Sequence, residues 1–156
     1  MEHLEISGGT KEEKYRSLLP QLKALAEASP DLIAAMANFS AAIHETFGFL
    51  WTGFYRVVDG RLVLGPFQGP LACMEIRHGK GVCGTAWAEA RTLLVEDVDR
   101  FPGHIACSSA SRSEIVVPVE RDGRVIAVLD IDSASLATFD STDARFLADA
   151  VALLPA

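Results

Sequence analysis

Residues 113–133 read SEIVVPVERDGRVIAVLDIDS, and this stretch decides the fold. Two apolar runs, Ile115 to Glu120 and Arg124 to Ile131, flank Asp122-Gly123, a dipeptide suited to the tight turn of an antiparallel hairpin. Pro118 has no N–H to give to a ladder, which places the first strand at an edge or a bulge. Alternation with period two puts Asp130 and Asp132 on one face of the second strand and Ile131 on the other. The far ends of a hairpin meet, so Glu114 comes near both aspartates. Carboxylates gathered in this way repel one another, so one can hold a proton near neutral pH, and together they attract a ligand ammonium group. The plainer alternative is a solvated strand end with an Asp-Ser turn at Asp132-Ser133.

Working outward, a second hairpin runs from Phe49 to Val58 and from Arg61 to Phe67 around Asp59-Gly60. A further strand is expected around Leu71 to Ile76, then the loop 78–84, a short helix from Thr85 to Ala90 and a short strand from Thr92 to Val95. Upstream, Leu18, Leu22 and Leu25 predict a helix over 11–28, with Pro20 kinking it or marking its start. A second helix is expected with Ser29 as N-cap, Pro30 in its first position, a stripe of Leu32, Met36, Phe39, Ile43 and Phe47, and Gly48 as its stop. A last helix opens at Asp140, with Phe146, Leu147, Ala150, Val151 and Leu154 on one face. The class is α+β: a central antiparallel sheet with helices packed on it.

The 156 residues suffice for one domain. Fourteen Lys and Arg against 21 Asp and Glu leave a net charge of −7, which argues against a nucleic-acid partner. No apolar run is long enough to span a membrane, and the acidic start lacks the features of a signal peptide. A cytoplasmic protein is expected. Three cysteines cannot all pair within one chain, so core filling, metal binding and redox chemistry stay open for them. Cys73, Cys83, Cys107 and His104 form no Cys-x₂₋₄-Cys pair, so no metal site is expected.

Cys107 lies in the irregular segment 96–112, where loop amides, His104 and Arg112 are available to lower a thiol's pKa. The whole segment is a candidate lid. The loop from Gly79 to Thr85 resembles an anion cradle but lacks phosphate-loop spacing, and reads better as a turn that sets Cys83 at a helix start. That position also makes Cys83 a site where a thiolate is favoured. Trp51 and Tyr55 share one strand face, and Gly53 between them leaves room for a close approach. They serve either as core or as the wall of a ligand pocket.

Trp51-Thr-Gly-Phe-Tyr55, Leu64-Gly-Pro-Phe-Gln-Gly69, Gly81-Val-Cys-Gly-Thr85, Gly103-His-Ile-Ala-Cys107, Ser113-Glu-Ile-Val116 and Val128-Leu-Asp-Ile-Asp-Ser133 together resemble free methionine-R-sulfoxide reductase, a GAF-domain enzyme family. The likeness covers nearly the whole chain and implies a single GAF domain over residues 1–156. It implies Cys107 as the nucleophile and Cys73 as the resolving cysteine, and leaves the role of Cys83 open. By the same likeness Trp51, with Tyr55, forms the wall for the substrate's methyl group, and Glu114, Asp130 and Asp132 hold the amino group and the sulfoxide oxygen. Ser108 departs from the acidic residue expected after the nucleophile.

The resemblance also implies a mechanism. The Cys107 thiolate attacks the sulfoxide sulfur while Glu114 or Asp132 protonates the oxygen, and Cys107 becomes a sulfenic acid. Cys73 then forms a disulfide that thioredoxin reduces. No cofactor is implied, and a homodimer is compatible with it. A non-catalytic GAF sensor explains the fold and the aromatic wall but gives no role to cysteines at both Cys73 and Cys107. Sensors also sit beside an output domain, for which no residues are left over. A purely structural interaction domain explains still less.

Overall fold

The computed structural model describes residues 3–28, 30–104 and 109–156. Helix α1 (Lys11–Ala28) runs through Pro20, so the proline does not mark its start. Helix α2 (Leu32–Phe47) begins later than Ser29-Pro30 suggested. Its N-cap is Asp31, whose carboxylate accepts from the Ala34 amide at 2.8 Å, while Ser29 lies outside the described residues. An aspartate oxygen satisfies the free amides of a first turn as well as a serine hydroxyl does, and Pro30 then falls outside the helix. Gly48 closes α2 in the left-handed region at φ 67°, as expected.

Two hairpins follow the predicted turns. Strands β1 (Trp51–Val58) and β2 (Arg61–Gln68) flank Asp59-Gly60, and β5 (Ser113–Arg121) and β6 (Arg124–Ser133) flank Asp122-Gly123. Strand β3 is only Glu75–Arg77, because the segment before it leaves the sheet and exposes Leu71. Helix α3 (Gly81–Glu89) starts four residues before Thr85, which puts Cys83 in its first turn. Strand β4 (Leu93–Val95), a 3₁₀ turn at Val98–Arg100 and helix α4 (Ser141–Ala152) complete the order. Asp140 and Asp143 cap α4 reciprocally.

The six strands form one antiparallel sheet in the order β3-β2-β1-β6-β5-β4. The short β4 pairs only with Glu114 to Val116, so Pro118 lies past its end, next to a register shift at Val119 and Glu120. The two faces of the sheet carry separate cores. One packs Phe54, Ile115, Leu129 and Ile131 against α1, α2 and α4. Tyr15 in that layer donates to the buried Asp143 carboxylate at 2.6 Å, which also pairs with Lys11 at 2.6 Å and so ties α1 to α4. The other face holds Trp51, Tyr55, Val116 and Val128 under α3. This second, thinner layer is where polar residues enter. Among the described residues no helix is long and apolar enough to cross a membrane.

Candidate active site

Register alone assembles the polar centre. Across β1 and β6, Trp51 stands opposite Asp132 and Gly53 opposite Asp130; across β5 and β6, Glu114 stands opposite Asp132. Asp132 is thus flanked by an indole on one side and a carboxyl on the other. The predicted alternation holds: Ile131 is buried in the helical core, while Asp130 and Asp132 line a pocket under α3.

The aromatic wall depends on a missing side chain. A β-carbon on Gly53 would collide with the Phe67 β-carbon and lie 2.7 Å from the Trp51 ring. Without it the indole lies flat across the strand, stacked on Phe67 at 5.2 Å and on Tyr55 at 5.9 Å. Trp51 Nε1 donates to the Pro70 carbonyl at 3.1 Å, and Tyr55 Oη donates to the Cys73 carbonyl at 2.9 Å. The two aromatic residues therefore build the wall and also hold the segment that carries Cys73 against it.

Burial dominates the electrostatics. Glu114 is pushed well above the ordinary carboxylate range, first by loss of water, then by the negative charges of Asp130 and Asp132. Asp132 is likewise raised by burial and by Asp130, against the Ser111 hydroxyl, which donates to its Oδ1 at 2.9 Å. Asp130 is raised by burial, against hydrogen bonds with Glu114 and Cys83 and the positive charge of His104. Three carboxyls that cannot all ionise share at least one proton.

Cys83 is the correction. Its place in the first turn of α3 does not make it a thiolate: burial, followed by the charges of Asp130, Glu114 and Asp132, pushes its pKa well up. Desolvation and three acidic neighbours outweigh the partial charge of a helix end. It is a free, buried thiol. Cys107 and Ser108 lie outside the described residues, as does part of the segment 96–112 considered as a lid.

Lys80 and Gly81, at the N-terminus of α3, which has no side-chain cap, also line the pocket. The pocket is lined by Trp51, Tyr55, Cys83, Glu114, Asp130 and Asp132, together with Ser111 and His104. Ser111, which lines the pocket and donates to Asp132, is the site residue that sequence reading missed. It is one of four serines between positions 108 and 113, and nothing in the sequence distinguishes the one that reaches Asp132.

The GAF domain family matches residues 31–154. The chain is 54% identical to GAF domain-containing protein A of Dictyostelium discoideum, with 98% of each chain covered. It is 45% identical to free methionine-R-sulfoxide reductase of Escherichia coli, over 92% of this chain and 88% of that one. The X-ray structure of free methionine-R-sulfoxide reductase from Neisseria meningitidis, in complex with its substrate, superposes with a TM-score of 0.97. Identity is 51%, covering 99% of this chain and 94% of that one. The chain belongs to the free methionine-R-sulfoxide reductase family of GAF domains. Membership makes it an oxidoreductase and bears out the α+β, GAF-like fold read from the sequence.

Proposed function

We propose that the protein reduces free L-methionine-(R)-S-oxide to L-methionine through a sulfenic acid on Cys107. The observation that carries this reading is the buried pair Glu114 and Asp130, with the half-buried Asp132 beside them and next to the Trp51 wall, in a chain of this family. Trp51 and Tyr55 receive the methyl end of the substrate. The carboxylates receive its ammonium group and the sulfoxide oxygen. The uncapped end of α3, with Lys80, suits its carboxylate.

The Cys107 sulfur attacks the sulfoxide sulfur, and Glu114, which hydrogen-bonds with both aspartates, supplies the proton to the oxygen. The oxygen passes to Cys107 as a sulfenic acid and methionine leaves. The substrate sulfur gains two electrons and Cys107 loses two. The Cys73 thiol then attacks the sulfenic sulfur, forming a Cys73–Cys107 disulfide and water. A thioredoxin dithiol restores both thiols by exchange. Cys83 is a free, buried thiol, which supports a reading that leaves it out of the disulfide step. Thioredoxin as reductant, a cytoplasmic location and a homodimer belong to the same proposal.

The test is methionine formation from the free R- and S-sulfoxides with dithiothreitol, followed by amino-acid analysis. The R epimer should be reduced and the S epimer left intact. Release from neither would turn the protein into a binding module, and better turnover of a peptide-bound sulfoxide would reassign the substrate.

A further inference from the structure

Cys83 is a buried nucleophile that the proposed reaction leaves unused. Its sulfur and one carboxylate oxygen each from Glu114 and Asp130 lie within 4.8 Å of one another, all three residues being buried. Asp130 is 6% exposed, and its Oδ1, sealed from solvent, is met by no amide, hydroxyl or cation. The hydrogen bonds of this carboxyl group, to Glu114 and Cys83, stay inside the cluster, and the remaining buried oxygen is open to a mobile positive partner.

We propose that the reduced protein binds a single zinc-class divalent ion through Cys83 Sγ, Glu114 and Asp130 Oδ1, in the floor of the substrate pocket. The donor set argues for that class. Cys83 is a thiol in the metal-free protein, and the incoming ion displaces its proton to solvent; the resulting thiolate with two carboxylates suits zinc or cobalt and disfavours calcium and magnesium, which take oxygen alone. Around a tetrahedral zinc, with bonds of about 2.0–2.3 Å, neighbouring donors stand roughly 3.4–3.6 Å apart. The three donors stand within 4.8 Å of one another, so small side-chain rotations bring them together. The fourth position opens on the pocket, as it does in zinc sites that exchange a ligand. On the function proposed above, the ion occupies the place of the substrate's polar groups, so binding is mutually exclusive with the sulfoxide.

Cobalt(II) is the probe, added to the full chain after reduction and removal of the reductant, with no substrate present. One equivalent should produce a thiolate-to-cobalt charge-transfer band together with the visible absorption of a tetrahedral ion. Cys83→Ser should remove the charge-transfer band, while the Cys73→Ser, Cys107→Ser double variant should keep it. A band that survives Cys83→Ser, or that disappears with Cys107, overturns the assignment. Should Cys83→Ser not fold, Asp130→Asn and Glu114→Gln decide. Each should weaken cobalt binding about tenfold or more, and wild-type affinity in both would overturn it. Free sulfoxide should displace the cobalt; cobalt binding in a protein that reduces no sulfoxide would refute the enzymatic reading and leave this site standing.

Discussion

Glu114 and Asp132 are directly paired residues on neighbouring strands, their side chains on the same sheet face and both largely removed from water. Like charges set opposite each other in a ladder destabilise it, so this pair is tolerable only while it retains a proton. Catalytic potential and structural liability therefore come from the same contact.

Stability should fall as pH rises. Glu114 and Asp132 have folded pKa values raised above ordinary values of 4.5 and 3.8. From about those values upward the folded state keeps protons that the unfolded chain has lost, and raising the pH penalises folding until the folded groups also ionise. Each retained proton corresponds to about 1.4 kcal/mol per pH unit in that window. Glu114→Gln should remove part of this slope and unfold at a higher temperature than wild type at neutral pH. Thermal melts from pH 4 upward check it; parallel curves for the two proteins would show that the carboxyl does not hold a proton.

The same variant should lose chemistry. If Glu114 protonates the sulfoxide oxygen, Glu114→Gln lowers the rate of the first step by roughly 10²–10⁴-fold, and Asp132→Asn should act in the same direction. Rapid-quench measurement of methionine from one turnover isolates that step. Wild-type rates in both amides would leave the carboxylates a purely structural role.

Ser111→Ala provides a finer test. Its hydroxyl stabilises the ionised form of Asp132, so its removal should raise the carboxyl's pKa further. The alkaline limb of the pH–rate profile should move to higher pH while the acid limb stays in place. An unshifted profile would exclude Ser111 from the proton network.

Gly53→Ala should damage binding more than proton delivery. The added methyl meets Phe67 and the Trp51 ring, and the ring is the more easily displaced. Overpacking of this kind costs about 1–3 kcal/mol of stability. KM for the sulfoxide should rise more than kcat falls. A variant with an unchanged KM would show that the indole does not touch substrate.

Much of this site is visible in residues 113–133 because a hairpin is a local object. The turn at Asp122-Gly123 and the period-two pattern suffice to bring Glu114 to Asp132, with no knowledge of the rest of the molecule. Features set by tertiary packing were less legible. The thiol state of Cys83 follows from burial and from charges on other elements, which a helix-start argument cannot see. Strand β3 was misplaced because pairing with Arg61 to Val63, rather than apolar content, selects Glu75 to Arg77. Asp31 displaced Ser29 as a cap because both residue types suit the position and the local sequence does not rank them.

The two half-reactions should separate in Cys73→Ser. Tyr55 Oη holds the Cys73 carbonyl, and Trp51 Nε1 holds that of Pro70, so the aromatic wall, which on the proposed function receives the substrate, also fixes the segment of Cys73 beside it. Removing the Cys73 sulfur leaves the wall, the carboxylates and Cys107 in place. Reduced Cys73→Ser should release about one methionine per chain and then stall when thioredoxin is the only reductant. Cys83 is a poor substitute, since burial and three acidic neighbours keep it protonated, and a thiol attacks only as thiolate. Mass spectrometry of the oxidised wild type should show a Cys73–Cys107 link. Continued turnover with thioredoxin in Cys73→Ser, together with a Cys83–Cys107 link, would transfer the resolving role to Cys83 and require the α3 end of the pocket to open during each cycle.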